Sequence, residues 1–513
     1  MNSVNPTLRF RNLTNHSHWF HPTFLRSLAA FLVPFLIYQL TLAPSIVTLD
    51  SAELTTTAVT LGISRSTGYP LYTLLGHLFS YLPVGDAAFR INLFSALMGA
   101  FTILLIDKIF QHLKVNTLVS FGAVGLLAFS PYFWSLSLVA EVYTLNTALI
   151  SGALLATFCW IEKPDKRRLA VTGLLLGLGL AHHGSFALVL PGLLFLAAAS
   201  QPQVFFKPRS LLVLFSTIAV GLLFYLYLPI RFAMNPAFNY AGYFDGLGNF
   251  HPVDLTTLWG LWWLVSGRTF ATSMFAYSAN GLAAQFQLFL SQIIPGFFFI
   301  GIGPAVIGIL TSFKRSWQLG AALFAMFSFC AFFYIDYDLA DKATMFLPCY
   351  IVMCLWIGLG YQTLLDWVKK SLSSDVQYST LQRIIPNALQ MLMISAAIIF
   401  CLQNWSGVDR SQDWSARQRG ENLLRTLKPG AVVVGYWDSI PVLQYLTLVE
   451  NQRHDLLLIN RFLISDCSLD ALISNLVGKR PFYIDDRPNH LLDGIVAIPS
   501  TDLIELVPQQ LEN

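Results

Sequence analysis

Long apolar runs alternate with short polar segments along most of the chain, a pattern typical of a polytopic helical membrane protein. Several of these runs approach or exceed the roughly 18 apolar residues that a helix needs to cross the hydrocarbon core of a bilayer. We predict eleven transmembrane helices between residues 27 and 402. Their predicted bounds are 27–43, 88–107, 117–134, 141–161, two short helices within 169–200, 210–229, 290–311, 317–334, 344–364 and 385–402.

Two polar stretches are longer than a connection between helices requires. The first, residues 44–87, follows the first predicted span directly, and we call it the first loop. The second, residues 231–285, is rich in Asn, Gly and aromatic residues, and we call it the second loop. Loops of this length inside a compact domain usually carry function.

The pattern changes after residue 402. Strand-like apolar runs then alternate with helix-like stretches, which predicts a small α/β domain over residues 403–513 with a largely parallel sheet. The predicted strands are Ala431–Val434, Leu456–Ile459 and Pro481–Ile484, and the predicted helices are Asp438–Val449 and Leu469–Leu476.

The distribution of Lys and Arg predicts how the chain is oriented in the membrane. Only 12% of the residues are charged, and sixteen Lys and Arg residues fall on one side of the predicted spans against five on the other, up to residue 402. Because cytoplasmic loops carry an excess of Lys and Arg, we expect residues 1–26 to be cytoplasmic and both long loops and the C-terminal domain to be extracytoplasmic. A multi-pass position in a cell membrane is the expected location.

Composition excludes several classes of function. A net charge of +3, with the basic residues in small clusters between apolar runs, gives no basis for nucleic-acid binding. The six cysteines show neither a CxxC nor a Cys/His spacing, so no disulfide framework or zinc site is expected. The first apolar run lacks a small-residue cleavage site, and we expect it to be retained as a signal anchor.

Asp50 and Glu53 are the first candidate for chemistry, because they lie three residues apart in the first loop. On a helical turn such a pair shares one face. Two carboxylates so placed can share a proton, hold a divalent cation, or divide the roles of general base and neighbour that tunes it. The alternative is that Asp50 or Ser51 caps a helix that begins near Glu53.

Five cations on the predicted outer side oppose the charge bias that orients the chain. They are Arg65, Arg90, Arg231, Arg268 and Lys342. An anionic lipid headgroup would explain such residues, and Arg231 and Arg268 are well placed for a phosphate. The alternatives are arginines that extend to the membrane interface and, for Arg90, an ion pair with Asp86.

Polar residues at the ends of other apolar segments complete the candidates. His182 and His183 interrupt an apolar run, and a helix broken at membrane depth usually lines a cavity. One histidine can bind a phosphate or substrate hydroxyl, or it can be satisfied by a backbone carbonyl. Asp336, Asp338 and Asp341 share a predicted outer loop with Lys342, and this loop can bind a cation or acceptor or can be a solvated turn. The three tryptophans at 259, 262 and 263 indicate an interfacial helix more than a sugar platform.

The first loop resembles the opening of the bacterial protein O-mannosyltransferase-like membrane family. The resemblance rests on motifs that recur along nearly the whole chain, namely Asp50-Ser51-Ala52-Glu53, Thr67-Gly68-Tyr69-Pro70-Leu71, Arg90, Asn92 and Ser95, His182-His183, Pro229-Ile230-Arg231, the segment 341–348, and the tail from Ser415 through Trp437-Asp438 to Asp455. Ala52 stands where the family has glycine, and Ile63–Thr67 replaces a His-Pro-rich turn. These departures bear on the acceptor more than on the donor chemistry.

The resemblance implies a GT-C fold and an inverting glycosyltransferase. Its donor would be a polyprenyl-phosphate sugar, such as mannose or another hexose, and its acceptor a protein hydroxyl, glycan or lipid. Asp50 would be the general base and Glu53 its partner. The remaining implied roles are donor-phosphate binding by Arg231, Arg268 and Lys342, and substrate binding by His182, His183, Tyr69, Arg90 and Asp341. No cofactor or metal is required, although a divalent cation would suit the acidic pair.

Two other functional classes remain open from the residues alone. A transporter or lipid flippase would show inverted repeats and ionisable residues near the middle of the membrane, whereas no repeat is evident and the charged residues gather in loops. A non-catalytic scaffold or receptor leaves the acidic first loop unexplained.

Overall fold

The computed structural model describes residues 22–339, 341–372, 379–485, 494–500 and 502–509. Arg9 and Arg11, with most of the predicted cytoplasmic segment 1–26, lie outside these residues.

The described helices are α1 (Pro22–Thr41), α2 (Asp50–Thr60), α3 (Pro70–Phe79), α4 (Ala87–His112), α5 (Thr117–Ala128), α6 (Pro131–Leu136), α7 (Val142–Glu162), α8 (Lys166–His182), α9 (Phe186–Ser200), α10 (Pro202–Phe205), α11 (Pro208–Leu222), α12 (Tyr227–Ala233), α13 (Leu258–Val265), α14 (Ala279–Ile293), α15 (Ile302–Arg315), α16 (Trp317–Ile335), α17 (Leu347–Leu372), α18 (Ser379–Val408), α19 (Ser415–Thr426), α20 (Ile440–Leu448) and α21 (Asp466–Leu476).

The polytopic helical fold predicted from the sequence is confirmed. Among the described residues, seven helical segments are long and apolar enough to cross a membrane. They are Thr23–Thr41, Ala87–His112, Val142–Glu162, Pro208–Ala233, Trp317–Ile335, Lys342–Leu372 and Ile384–Val408. Polar caps fix where several helices begin, since Asp86 accepts a hydrogen bond from the Phe89 amide at 2.7 Å and Asp165 accepts one from the Arg168 amide at 2.9 Å.

The remaining predicted spans differ from continuous crossing helices. The predicted span 290–311 is a pair of helices, Ala279–Phe297 and Ile302–Arg315, that meet at an angle of 97°. Pro295 begins the break, and Phe298 and Phe299 adopt positive φ angles there, which ends the first helix. Helices α5 and α9 are apolar but have only 12 and 15 residues. The predicted break at His182-His183 is present, because α8 ends at His182 and α9 begins at Phe186.

The second loop forms a short hairpin and an apolar helix. Strands β1 (Gly242–Phe244) and β2 (Phe250–Pro252) pair antiparallel. Helix α13 follows, with 64% of Trp259 and 63% of Trp262 exposed while Trp263 packs inward. This arrangement agrees with the interfacial helix rather than the sugar platform.

The C-terminal region forms a five-stranded mixed sheet. Its strands are β3 (Val432–Gly435), β4 (Leu457–Asn460), β5 (Phe482–Ile484), β6 (Ile495–Ser500) and β7 (Leu503–Pro508), in the order β4-β3-β5-β7-β6. The three predicted strands are parallel to one another, and α20 and α21 connect them as expected. Strands β6 and β7 were not predicted, and they extend the sheet antiparallel. We call residues 409–509 the tail domain.

The tail domain and the first loop share one apolar core. Ile46 and Ala52 of the first loop are fully buried in the same cluster as Leu443 and Leu446 of α20. Because burial of apolar surface is the main favourable term in association, this shared core fixes α2 against the tail domain.

An arginine of the tail domain also joins both ends of the first loop. Nη1 of Arg417 in α19 lies 3.3 Å from Ser45 Oγ and 3.3 Å from Asp86 Oδ2. The same guanidinium binds both carboxylate oxygens of Glu450, at 2.7 and 2.9 Å. Ser45 precedes α2 and Asp86 precedes α4, so the loop is held where it begins and where it ends.

We predict that Gly308→Ala lowers the stability of the transmembrane region by about 1–3 kcal/mol, the usual effect of overpacking. A Cβ at Gly308 of α15 would overlap the main-chain carbonyl of Trp356 in α17. Thermal unfolding in detergent measures the change. Gly303→Ala on the same helix is the control, since a Cβ there meets nothing within 4 Å. Equal melting temperatures for the two variants would contradict the close approach of α15 and α17.

Candidate active site

Asp50 and Glu53 lie on one face of α2, and a single arginine binds both. Nη2 of Arg65 donates to Asp50 Oδ2, and Nη1 donates to Glu53 Oε2. The capping alternative is wrong, because the N-cap residue of α2 is Leu49 and no side chain caps the helix. Asp50 and Glu53 still lie in the first turn, where the helix dipole favours negative charge.

Glu53 is fully buried, and donors surround its carboxylate. Oε1 accepts hydrogen bonds from Ser64 Oγ at 2.5 Å and from the Arg65 amide at 3.0 Å. Oε2 accepts from Arg65 Nη1 and from the indole Nε1 of Trp437 at 3.3 Å. Each oxygen therefore has two donors, which is the arrangement that compensates for burying a charge. Both oxygens of Glu53 are therefore occupied by donors, which leaves no lone pair free to accept a proton from a substrate hydroxyl.

Asp50 is different, because its side chain is 16% exposed and, among the described residues, only Arg65 binds it. Within the described part of the chain, the Arg65 guanidinium is the sole hydrogen-bond donor to Asp50, and it binds Oδ2. Oδ1 is thus available to a hydroxyl that approaches from the exposed side. Burial opposes the charge on Arg65, but Asp50 and Glu53 outweigh it and raise the pKa of Arg65 well above its usual range. Arg65 is a permanent cation between the two carboxylates.

Glu141 is a third carboxyl at this site, and sequence reasoning missed it. It precedes α7, its Oε2 is buried, and that atom has no hydrogen-bond partner among the described residues. Burial raises the pKa of Glu141 well above its usual range, the charge of Asp50 raises it further, and Arg65 partly offsets both. The only sequence signal is an acid at the start of an apolar run, which reads equally well as a span boundary.

Aromatic side chains and a neutral histidine border the carboxyl groups. The ring of Tyr69 stacks on His183 with 5.5 Å between centroids, and Tyr143 lies 5.6 Å from the same imidazole. Because Nδ1 of His183 accepts the Ser185 amide at 3.0 Å, its proton is on Nε2, which can donate to a ligand.

The other predicted substrate residues lie in different settings. His182 is fully buried, with Nε2 2.8 Å from the Val142 carbonyl, which matches the structural alternative. Arg90 donates to the carbonyls of Ser80, Val84 and Gly85, so it holds the connection between α3 and α4 and does not pair with Asp86.

Asp341 lies near the carboxyl cluster. It interacts electrostatically with Asp50, Arg65 and Glu141. The neighbouring loop acids are structural, since Asp336 accepts the Tyr277 amide at 3.1 Å and Asp338 accepts the Tyr277 hydroxyl at 2.6 Å.

Of the predicted phosphate ligands, two are engaged by main-chain carbonyls. Arg231 Nε donates to the Leu61 carbonyl at 2.7 Å, at the C-terminal end of α2, and so stabilises that end of the helix. Lys342 is buried, and its Nζ donates to the carbonyls of Ile335 and Tyr337 at 3.3 and 3.0 Å while it lies 4.7 Å above the Tyr277 ring.

Arg268 is exposed, and no described residue binds its guanidinium. It follows Gly267 and precedes Thr269, whose hydroxyl lies 3.3 Å from Ser66 Oγ in the first loop. Arg268 is therefore a cation beside the loop that carries Asp50 and Arg65. Among the described residues, no group of three or more His, Cys, Asp or Glu side chains is arranged to hold a metal ion.

The chain is similar to proteins of one named family. Residues 50–204 match the family described as "Protein O-mannosyl-transferase TMEM260 N-terminal domain", which confirms the predicted resemblance over the segment that contains Asp50, Glu53 and Glu141. The chain is 32% identical over 214 residues to "Protein O-mannosyl-transferase TMEM260" of Mus musculus, which covers 40% of this chain and 30% of the mouse protein. It is 23% identical over 468 residues to the tmem260 protein of Dictyostelium discoideum, which covers 82% of this chain and 55% of that protein. The chain thus spans between about a third and about half of these curated relatives.

Solved structures confirm the predicted GT-C fold. ArnT from Cupriavidus metallidurans bound to undecaprenyl phosphate superposes with a TM-score of 0.57 at 10% identity, over 96% of this chain and 98% of ArnT. The apo state of the same enzyme gives a TM-score of 0.55 at 11% identity, over 95% of this chain and 98% of ArnT. At such low identity this likeness establishes the fold alone.

We predict that Arg65→Met destabilises the protein by about 3–5 kcal/mol, because it leaves the buried Glu53 carboxylate without its cation. The double variant Arg65→Met/Glu53→Gln should regain part of this loss, since the uncompensated charge is then removed. Thermal unfolding in detergent is the measurement, with Arg268→Met as the control at an exposed arginine that no described residue binds. An Arg65→Met protein as stable as the control would show that the bridge contributes nothing.

Proposed function

We propose that the protein is a membrane glycosyltransferase that transfers a sugar from a polyprenyl-phosphate donor to an acceptor hydroxyl, with inversion at the anomeric carbon. The observation that carries this proposal is the difference in hydrogen bonding between the two carboxylates of α2, Asp50 and Glu53. Glu53 is saturated by four donors, whereas Asp50 is held by Arg65 through one oxygen and presents the other. An oriented but unsaturated carboxylate is what a general base requires.

In the proposed reaction the acceptor hydroxyl oxygen attacks the anomeric carbon while Asp50 Oδ1 takes the hydroxyl proton. The bond between the anomeric carbon and the phosphate oxygen breaks, and its electron pair leaves with the polyprenyl phosphate. Asp50 is then neutral and returns its proton to solvent. Arg65 holds Asp50 in place through Oδ2, and Glu53 keeps the guanidinium in position.

The proposed donor follows from the fold and from the exposed cation. The protein of similar fold, ArnT, was crystallised with undecaprenyl phosphate, which supports a polyprenyl-phosphate donor here. Arg268 is our proposed ligand for the leaving phosphate, since a positive charge beside it stabilises the negative charge that grows there. Arg231 and Lys342 donate to main-chain carbonyls instead, which leaves Arg268 as the better-placed cation for this role.

Glu141 and His183 are proposed to hold sugar hydroxyls. Among the described residues, Glu141 Oε2 is buried without a hydrogen-bond partner, and His183 Nε2–H can donate to a ligand. Tyr69 and Tyr143 border His183 and offer ring faces for a sugar. Asp341, which interacts with Asp50 and Glu141, completes the proposed polar surface.

The proposed setting is the extracytoplasmic face of a bacterial plasma membrane. The excess of Lys and Arg in the short loops on one side supports a cytoplasmic N-terminus, with the first loop and the tail domain outside. The acceptor is then a protein hydroxyl, a glycan or a lipid on the outer side. No step of the proposed reaction requires a metal ion.

We predict that Asp50→Asn lowers sugar transfer by at least about 100-fold, since the amide cannot accept the hydroxyl proton. The variant should fold, because Asn keeps an oxygen for Arg65. Transfer is followed by mass spectrometry of the acceptor with purified protein. Asp254→Asn is the control at an exposed carboxylate in the second loop. Wild-type turnover by Asp50→Asn would exclude Asp50 as the base.

We predict that Arg268→Ala raises the donor KM by about 10–100-fold, the range expected for one lost hydrogen bond to a charged group. The acceptor KM should not change, because the guanidinium faces the leaving phosphate in this account. Initial rates at varied donor and fixed acceptor concentrations measure the effect. Arg425→Ala is the control, at an arginine of the tail domain whose side chain is 76% exposed. An unchanged donor KM would rule Arg268 out as the phosphate ligand.

A further inference from the structure

A tryptophan of the tail domain reaches into the carboxylate pair of the first loop. Trp437 lies between the end of β3 at Gly435 and the start of α20 at Ile440. The carboxyl ends of parallel strands are where α/β domains usually place functional side chains. At that edge of the sheet, Trp437 hydrogen-bonds to Leu49 and Glu53 of the first loop.

Trp437 makes one hydrogen bond to a residue before Asp50 in the sequence and one to a residue after it. The main-chain carbonyl of Trp437 accepts the Leu49 amide at 3.1 Å, on one side of Asp50. The indole Nε1 donates to Glu53 Oε2 at 3.3 Å, on the other side. Leu49 has a φ of 63°, a conformation that is uncommon for a residue with a side chain and requires support from its surroundings.

The indole ring also contacts the cation of the site. The guanidinium carbon of Arg65 lies 5.4 Å from the ring centroid of Trp437, within the range of a cation–π contact. The ring itself is held edge-to-face by Phe462 at 5.1 Å and by Tyr240 at 6.5 Å. Trp437 is therefore fixed by both the tail domain and the second loop, and it contacts Glu53 and Arg65 together.

We infer that Trp437 is a positioning residue for the proposed transfer, through which the tail domain sets the orientation of Glu53 and Arg65 and thereby of Asp50. This inference rests on the proposed function for its kinetic consequence, whereas its structural consequence stands alone. It gives the tail domain a role in the site itself, in addition to packing against the first loop.

The contacts allow this role to be separated from simple packing. Trp437→Phe keeps an aromatic ring against Phe462 and Tyr240 and keeps the main-chain bond to Leu49, but it removes the N–H that Glu53 accepts. A ring that served packing alone would tolerate this change. A ring that positions Glu53 would not, because the buried carboxylate loses one of its four donors.

We predict that Trp437→Phe lowers kcat by about 10–100-fold, the loss expected when a catalytic group is misplaced by up to about one ångström. The donor and acceptor KM should stay within about twofold of wild type, since Trp437 is proposed to contact neither substrate. Steady-state rates with purified protein give this split. Trp414→Phe is the matched control, at a half-exposed tryptophan of the tail domain. An unchanged kcat, or a loss confined to KM, would overturn the positioning role.

A second measurement on the same variants is independent of activity. Amide hydrogen exchange, read by mass spectrometry, should show faster exchange in peptides that cover Asp50–Leu54 in Trp437→Phe than in wild type or Trp414→Phe. Exchange in α4 should stay the same, which excludes general unfolding. If the wild type transfers no sugar but this local change is present, the positioning contact stands and the proposed function falls. If exchange at Asp50–Leu54 is unchanged, the positioning role fails whatever the activity.

Discussion

The buried carboxylate of Glu53 is the constraint on which the site depends. An isolated charge at a fully buried position is strongly unfavourable, so the chain must bring donors to it from several elements. Ser64 and Arg65 arrive because the segment after α2 folds back along the helix, and Trp437 arrives from the tail domain. The same guanidinium that neutralises Glu53 also holds Asp50 and leaves one of its oxygens exposed. Compensation of one buried charge thereby orients a second carboxylate.

This constraint explains why the first loop and the tail domain form one unit. Arg417 joins Ser45 and Asp86 at the two ends of the loop, and the apolar core between α2 and α20 is continuous. Trp437 adds a polar contact inside that interface. These contacts hold the first loop around Asp50 and Glu53, and a preorganised site requires that its charged groups be held in this way. The transmembrane helices supply the frame, and the loop at their end supplies the carboxylates.

Features that depend only on residues close together in the sequence were predicted well. The apolar runs located most of the long helices to within a few residues, the polar dipeptide His182-His183 marked the break between α8 and α9, and the spacing of Asp50 and Glu53 predicted a shared face. Long-range partners were not visible, because no period relates Glu53 to Trp437, which lie 384 positions apart. Glu141 was not predicted as a site residue for a similar reason, since an acidic residue at the start of a helix is common. Arg231 and Lys342 were assigned from their charge on the predicted outer side, but in the fold they satisfy helix-end carbonyls. A charge bias cannot distinguish a ligand site from a helix end.

The most direct test of the account is the stereochemistry of transfer by the purified wild-type protein. It would be incubated with a panel of polyprenyl-phosphate sugars of known anomeric configuration and with candidate acceptors, and the product linkage would be assigned by NMR. A single base at Asp50 that deprotonates the acceptor for direct attack predicts a product of inverted configuration, together with release of the polyprenyl phosphate. A product of retained configuration, or no transfer from any donor of the panel, would contradict it.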